Sequence, residues 1–244
     1  MKLLCVTILL LLHCVSANGQ TVNAVKYIWQ NETAKTNASV EIYDTDSKKS
    51  KGCIYFITNV DTAYNSRQDS LFNQFIASSN SQYAVVKISF YDLYDSSKLS
   101  LYSTELVENI LPDVGKKYKT ISKSNTILSG VNEYAVLALY AAIHNSNKIN
   151  KTALFFNEYQ PGISLCEVLE SSAKKIEGKL FMYVNTKEEN NFMTDSLAEN
   201  LALNSSVLLY KYDDVDAGAS KNIFLEAYNW LMADGTNYIL KIDN

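Results

Sequence analysis

The residues with the clearest chemical meaning in this chain lie in one turn between a predicted strand and a predicted helix. The apolar run 126–129 ends at Gly130, and nearly every residue of 135–143 is apolar. A strand, a tight turn and a buried helix in this order form the scaffold on which a G-x-S-x-G motif displays a nucleophilic serine. Asn132 stands at the serine position and Tyr134 at the second glycine. The sequence therefore predicts the scaffold without its nucleophile, because an asparagine amide cannot take that role.

The nearest candidate base and the nearest serine do not replace the missing group. His144 lies in the same predicted helix, and the helical rise carries it roughly 18 Å along the axis from Asn132, whereas proton transfer needs about 3 Å. Ser129 precedes Gly130 at the end of the strand and is predicted to be a polar core residue. The alternative for Ser129 is a relocated nucleophile.

The elements that would position this turn alternate between strands and helices. Runs with strand character are 25–29, 38–43, 53–57, 83–90, 126–130, 152–156, 179–184 and 207–212. Runs with helical character are 71–76, 104–111, the stretch after residue 132, 165–176, 192–203 and 223–232. This order predicts an α/β fold with a mainly parallel sheet and helices on both faces. The first three strands lack intervening helices and are predicted to form an antiparallel edge.

The same landmarks, in this order, resemble the esterase D-like and enterochelin-esterase-like branch of the α/β-hydrolases. The matching segments are 40–43 with 52–58, 104–120, 127–130 with the following helix, 179–184 with Glu188, 215–220 and 224–232. The resemblance covers nearly all of 20–244 and implies an α/β-hydrolase-type sheet. It also implies that Asn132, Glu188 and Ser220 occupy the nucleophile, acid and histidine positions. With asparagine and serine at two of them, these positions are vestigial and no catalytic residue is predicted.

The resemblance also gives roles to the residues of the turn. The backbone N–H of Glu133 would belong to the oxyanion hole, where its own carboxylate disfavours a developing anion if it points inward. Asparagine tolerates positive φ better than most residues, so Asn132 can keep the turn without the reactive atom. Tyr134 would fill space that glycine leaves open. We therefore expect a retained scaffold with a plugged or repurposed pocket.

Aromatic residues indicate where a ligand or partner would bind. The polar segment 91–102 is predicted to be a loop, and its Tyr91, Tyr94 and Tyr102 are candidates for a recognition surface, together with Asn132, Glu133 and Tyr134 in the pocket. The alternative is that most of the 17 tyrosines are core and sheet residues.

The first nineteen residues have the pattern of a secretory signal peptide. Lys2 precedes an apolar run too short to span a bilayer, and small residues follow at 15–19. The alternative is an N-terminal membrane anchor. No later run is long enough to span a membrane, so residues 20–244 are predicted to be one soluble domain that is secreted, or periplasmic in a bacterium.

Export bears on the cysteines and on four glycosylation sequons. Cys53 and Cys166 remain after removal of 1–19 and can form one disulfide or stay as two buried thiols. The sequons begin at Asn31, Asn37, Asn150 and Asn204 and allow glycosylation in a eukaryotic host.

Charge and ligand spacing argue against several classes of function. With 22 Lys and Arg against 26 Asp and Glu, and one arginine at Arg67, the chain has no basic stripe for nucleic acid. The acidic groups 188–189 and 213–216 lack the glycine-pivoted spacing of a calcium loop and are predicted to be solvated. No zinc spacing or cofactor motif is present, so no metal or cofactor is predicted.

Three functions are compatible with these observations. The first is a secreted, catalytically inactive esterase homologue that binds a small apolar ligand or an unidentified protein partner. The second is a secreted ester hydrolase with a relocated site, which uses Ser129 or a water activated by a carboxylate. The third is a structural component of an extracellular or surface assembly. The sequence does not indicate the ligand, the organism or the oligomeric state.

Overall fold

The computed structural model describes residues 13–17, 20–32, 36–43, 52–59, 83–91, 96–117, 126–156, 178–185, 206–212, 223–233 and 239–243. Its strands are β1 His13–Ala17, β2 Gln20–Asn31, β3 Thr36–Tyr43, β4 Gly52–Asn59, β5 Tyr83–Phe90, β6 Thr126–Val131, β7 Lys151–Phe156, β8 Lys179–Asn185, β9 Ser206–Tyr212 and β10 Ile239–Asp243. Its α-helices are α1 Leu99–Thr104, α2 Leu111–Lys117, α3 Glu133–His144 and α4 Ile223–Met232, and a π-helical turn, Glu105–Ile110, joins α1 to α2.

The ten strands form one sheet in the order β1-β2-β3-β5-β4-β6-β7-β8-β9-β10. The neighbours β1 and β2, β2 and β3, and β3 and β5 run antiparallel. Every other neighbouring pair runs parallel. The predicted α/β class with a mainly parallel sheet and an antiparallel N-terminal edge is therefore confirmed.

The prediction was wrong about which strands make that edge. β4, which was expected to be the third antiparallel strand, lies between β5 and β6 and is parallel to both. Its residues from Cys53 to Thr58 are all buried, and a strand that is buried on both faces belongs in the sheet interior. β5 takes the place beside β3 instead.

The helix predicted to begin at Thr104 begins earlier, and Pro112 lies inside the helical region rather than ending it. A 3₁₀ turn at Ser96–Lys98 leads directly into α1, so the second half of the predicted loop 91–102 is helical. The N–H of Leu111 reaches back to the carbonyl of Leu106. This wider turn comes just before Pro112, whose missing N–H and bulky ring do not fit a regular α-helix interior.

Two hydrophobic clusters lie on opposite faces of the sheet. One is formed by α1, the π-helical turn, α2 and α3 with one set of strand side chains, and includes Tyr55, Phe90 and Leu137. The other is formed by α4 with the opposite set and includes Phe155 and Phe224, whose ring centroids are 4.6 Å apart. Helices therefore cover both faces, as the sequence pattern predicts.

β1 lies within the predicted signal peptide. It pairs with the start of β2, so cleavage after residue 19 would remove β1 and leave β2 at the edge of the sheet. Cleavage stays a prediction. The predicted helices 71–76, 165–176 and 192–203 lie outside the described residues. Within the described ranges, the helices are all too short or too polar to cross a membrane.

Candidate functional site

The turn after β6 has the geometry that a nucleophile elbow requires. Asn132 has φ 52° and ψ −119°, and among the described residues it is the one non-glycine with positive φ. Its N–H donates to the carbonyl of Phe155 at 2.8 Å, which fixes the turn against β7. Its own carbonyl accepts the N–H of Ala135 at 3.0 Å and starts α3. The predicted order of strand, tight turn and helix is therefore present, with an asparagine at its apex.

Gly130 allows α3 to approach β6 closely. A Cβ atom at this position would lie 2.2 Å from the carbonyl oxygen of Tyr134, and real Cβ atoms do not come within 3.0 Å of another group. The neighbours of Gly130 in the sheet are Ile57 on β4 and Leu154 on β7. Because backbone rather than a flexible side chain occupies this space, only glycine fits the turn as it stands.

Tyr134 is a core residue that connects α3 to the end of β5. Its side chain is 4% exposed, and its hydroxyl donates to the carbonyl of Phe90 at 3.4 Å. The ring belongs to the cluster on the α3 face of the sheet. A glycine at this position would leave that space empty, whereas the tyrosine ring fills it.

Glu133 is the first residue of α3 and is half-buried. Burial raises the pKa of its carboxyl above the ordinary value of 4.5, and a hydrogen bond with its own backbone N–H opposes the shift. Asn132 and Glu133 therefore place an amide and a carboxyl with a raised pKa next to each other at the carboxyl edge of the sheet. Such groups can form hydrogen bonds to a ligand, but the amide cannot attack a carbonyl carbon.

Ser129 is completely buried, which confirms the prediction that it is a polar core residue. Its Oγ accepts a hydrogen bond from the hydroxyl of Tyr228 on α4 at 3.1 Å. Burial raises the pKa of the Tyr228 hydroxyl far above its usual range, although the bond to Ser129 opposes this. A neutral phenol that donates to a neutral hydroxyl joins α4 to β6 in the core and supplies no base for nucleophilic attack.

His144 lies at the far end of α3 from the elbow. It is the last residue of a 12-residue helix that begins directly after Asn132, which places it roughly 18 Å along the axis. Its ring stacks on Tyr140 with centroids 4.0 Å apart, and its Nδ1 lies 2.9 Å from the Tyr140 carbonyl oxygen. These contacts hold His144 against its own helix. The other two vestigial positions, Glu188 and Ser220, lie outside the described residues.

The three tyrosines predicted to form a recognition surface are not equivalent. Tyr91 is exposed at the end of β5, and Tyr94 lies outside the described residues. Tyr102 is 4% exposed and packs edge-on against Phe90 with ring centroids 4.9 Å apart. The expectation of a surface position was wrong for Tyr102, because this part of the predicted loop is helical and turns the ring into the core.

Sequence reasoning missed a buried carboxylate on the π-helical turn. Glu105 is 5% exposed and accepts hydrogen bonds from the side-chain amides of Asn31 at 2.9 Å and Asn109 at 2.8 Å. The local sequence offers no clear signal, since Glu105 stands between the polar Thr104 and the apolar pair Leu106 and Val107. The helical pattern alone did not show that Asn31, on a distant strand, would be its partner.

The predicted disulfide cannot be traced, because Cys166 lies outside the described residues and only Cys53 is placed. Cys53 is buried on β4, and the pairing stays a prediction. The residues that the structure describes contain no group of three His, Cys, Asp or Glu side chains that could hold a metal ion.

The fold is shared with known hydrolases, although the sequence is far from theirs. No family model matches the chain, and no curated protein sequence matches it significantly. The structure of the BES protein from Bacillus cereus aligns with TM-score 0.62 and 14% identity over 88% of this chain and 98% of that one. An S-formylglutathione hydrolase from Agrobacterium tumefaciens aligns with TM-score 0.61 and 10% identity over 91% and 99%. A ferulic acid esterase aligns with TM-score 0.57 and 12% identity over 86% and 96%.

These alignments cover nearly the whole of each known chain. Together with the strand order and the elbow, they show that the protein has the α/β-hydrolase fold, in the form found in esterases and related hydrolases. Because the identities are so low, the likeness shows the fold alone.

Proposed function

We propose that this chain is a secreted, catalytically inactive esterase homologue that binds a small apolar ligand or a protein partner. The observation that carries the proposal is Asn132, which holds the backbone geometry of a nucleophile elbow without a nucleophilic atom. Export after removal of 1–19 and glycosylation at one or more sequons are part of the same proposal.

Three features of the site support the absence of catalysis. The elbow residue is an amide, the serine nearest to it is enclosed in the core against Tyr228, and His144 is held at the opposite end of α3. A serine–histidine relay needs a hydroxyl and an imidazole within hydrogen-bond distance. Ser129 and His144 instead have separate partners, Tyr228 on α4 and the Tyr140 carbonyl on α3.

The backbone of the elbow supports a retained binding role. A non-glycine residue at such φ and ψ angles costs on the order of 1–3 kcal/mol and persists where the surrounding structure enforces it. Here the turn is enforced by the bond to Phe155 and by the close contact at Gly130. The strained turn still presents the Asn132 amide and the Glu133 carboxyl at the edge where this fold places its ligands.

A hydrolysis assay on the purified chain tests the proposal. We expect p-nitrophenyl acetate to be hydrolysed at the buffer rate, without saturation, by the wild-type chain and by Asn132→Ala alike. A saturable rate well above buffer that persists in Asn132→Ala would show a relocated active site and would contradict the proposal. Saturation-transfer NMR with the uncleaved ester then measures binding, and size-exclusion mass with native extract identifies a protein partner.

A further inference from the structure

The sequons of this chain have different environments, although their sequence motifs are equivalent. Asn31, Asn37 and Asn150 lie within the described residues, and Asn204 does not. An oligosaccharide is transferred to the extended chain during export, so a glycoform reaches the medium only if the modified side chain fits the folded structure. Burial and hydrogen bonding at each asparagine therefore decide which glycoforms fold.

Asn31 is half-buried, and its side-chain amide is engaged with a buried carboxyl group. Its Nδ2, the atom that would carry the glycan, donates to Oε1 of Glu105 at 2.9 Å, and Glu105 is buried between β2 and the π-helical turn. Thr36, the register partner of Asn31, is buried on the same sheet face, and its hydroxyl has no hydrogen-bond partner. A glycan on Asn31 would force this buried cluster apart and would leave polar groups unsatisfied, each at a cost of about 1–3 kcal/mol.

Asn150 is half-buried as well, and its surroundings are tightly packed. Its side-chain Oδ1 is buried without a hydrogen-bond partner, and its backbone carbonyl accepts the N–H of Lys179 at 2.9 Å. The space beside this carbonyl is so narrow that a Cβ on Gly178 would lie 2.0 Å from it. The segment is fixed between β7 and β8, where a bulky substituent disturbs the sheet.

Asn37 has the opposite environment. It is exposed near the start of β3, and its register partner Gln30 is exposed as well. It lies on the same sheet face as Ile28, two register pairs away, and Ile28 is 41% exposed. A glycan here would project into solvent and cover an apolar side chain near the edge of the sheet.

We propose that Asn37 carries an N-linked glycan and that Asn31 and Asn150 stay unmodified in the exported protein. The bond forms between Nδ2 of Asn37 and C1 of an oligosaccharide attached to a lipid diphosphate. The nitrogen loses one proton, and the lipid diphosphate leaves with the electron pair of the broken C1–O bond. The inference rests on the export included in the proposed function, and it identifies which asparagine is modified.

The test is to express the full chain in a eukaryotic secretory host and to map the sites by mass spectrometry. Glycans are released from the protein in the medium by peptide N-glycosidase in ¹⁸O water, which converts each occupied asparagine to labelled aspartate. We expect label at Asn37 and none at Asn31 or Asn150. Label at Asn31 or Asn150, an unlabelled Asn37, or a chain that never reaches the medium would each overturn the proposal.

Matched variants separate the modification from folding. Asn37→Gln is expected to lower the mass by one glycan and to be exported as well as wild type. Thr33→Ala removes the Asn31 sequon but keeps the amide that binds Glu105. Neither the mass of attached glycan nor the yield of exported protein should therefore change. A loss of glycan mass in Thr33→Ala would place the modification at Asn31. The hydrolysis assay does not depend on the glycan, so inactivity and glycosylation can fail separately.

Discussion

Asn132 gives the turn after β6 the backbone shape of a nucleophile elbow with an amide side chain at its apex. Its φ of 52° lies in a region that side chains rarely adopt. Asparagine enters positive φ more readily than most residues, so it can hold this turn. The neighbouring Glu133 carries the second unusual property of the turn, a carboxyl with a raised pKa at the first residue of α3.

Substitutions at Asn132 should measure the backbone strain. Valine is β-branched and tolerates positive φ poorly, so Asn132→Val is expected to lower the free energy of unfolding by about 1–3 kcal/mol. Asn132→Gly should keep the wild-type value or exceed it, because glycine adopts this conformation without strain. Urea unfolding measures both. Asn147→Val is the control, since Asn147 lies in an exposed turn without positive φ. Equal losses at 132 and 147 would show that the elbow is not strained.

Glu133 should make stability depend on pH with a definite sign. Its pKa in the folded chain lies above 4.5, so the folded state holds the proton more tightly than the unfolded state. The contribution of this carboxyl to stability is therefore full below 4.5 and is lost as pH rises through the folded pKa. We expect Glu133→Gln to be more stable than wild type at pH 7, with the difference disappearing near pH 4, as measured by urea unfolding.

Glu41 is the matched control with the opposite sign. Burial alone would raise its pKa, but hydrogen bonds from Lys26 and Tyr43 and the charges of Lys26 and Lys87 bring the pKa below 4.5. Its contribution is present above 4.5 and is lost as pH falls through the folded pKa. Glu41→Gln should therefore be less stable than wild type at pH 7. The same sign of change in both variants would contradict this assignment.

The elements around the turn are held by a few specific contacts rather than by apolar packing alone. β6 and α3 can approach closely because Gly130 has no side chain. The hydrogen bond between Tyr228 and Ser129 joins α4 to β6. The C-terminal end of α4 is held by Lys179, whose Nζ donates to the carbonyls of Trp230, at 3.3 Å, and Ala233. Each contact joins a helix to the strand that orients it.

Gly130→Ala tests the approach of α3 to β6. The added methyl group would overlap the Tyr134 carbonyl, so backbone must move, and overpacking of this kind costs about 1–3 kcal/mol or more. Thermal or urea unfolding measures the loss. Gly115→Ala is the control, because in the helix α2 the same change should be neutral or should stabilise by up to about 1 kcal/mol. Unchanged stability in Gly130→Ala would show that the elbow is looser than the structure indicates.

Lys179→Met tests the end of α4. The variant loses a cation that lies 5.3 Å from the centre of the Trp230 ring and donates to the last carbonyls of the helix. A cation at a helix C-terminus contributes about 0.3–2 kcal/mol, so we expect a loss of about 1 kcal/mol in urea unfolding. Lys148→Met breaks an exposed ion pair with Glu108. It should change the free energy of unfolding by at most a few tenths of the loss expected for Lys179→Met. Similar losses of stability in Lys179→Met and Lys148→Met would show that Lys179 does not hold the end of α4.

For the molecule as a whole, local sequence patterns predicted the elements well and their long-range pairing less well. The continuous apolar run at 53–57 and the short run that ends at Gly130 correctly predict buried strands, and the apolar stretch after residue 132 correctly predicts α3. The place of β4 inside the sheet depends on partners far away in sequence, which periodicity does not encode.

In the candidate site too, features that depend on local sequence could be predicted and those that depend on distant contacts could not. The turn at Asn132 and the buried Ser129 could be predicted because each depends on its own segment. The burial of Tyr102 depends on where α1 begins, and the bond between Asn31 and Glu105 joins residues 74 positions apart. These contacts arise when the β2–β3 hairpin packs against the π-helical turn, and no local sequence pattern predicts them.

Fluorophosphonate labelling of the purified chain tests the central claim most directly, because the probe reacts with a serine only where a base has activated it. The wild-type chain should show no labelled serine by mass spectrometry. Asn132→Ser should also stay unlabelled, because a hydroxyl at the elbow still has no imidazole nearer than the far end of α3. A labelled serine in the wild-type chain would show that an active hydrolytic site exists and would contradict the account.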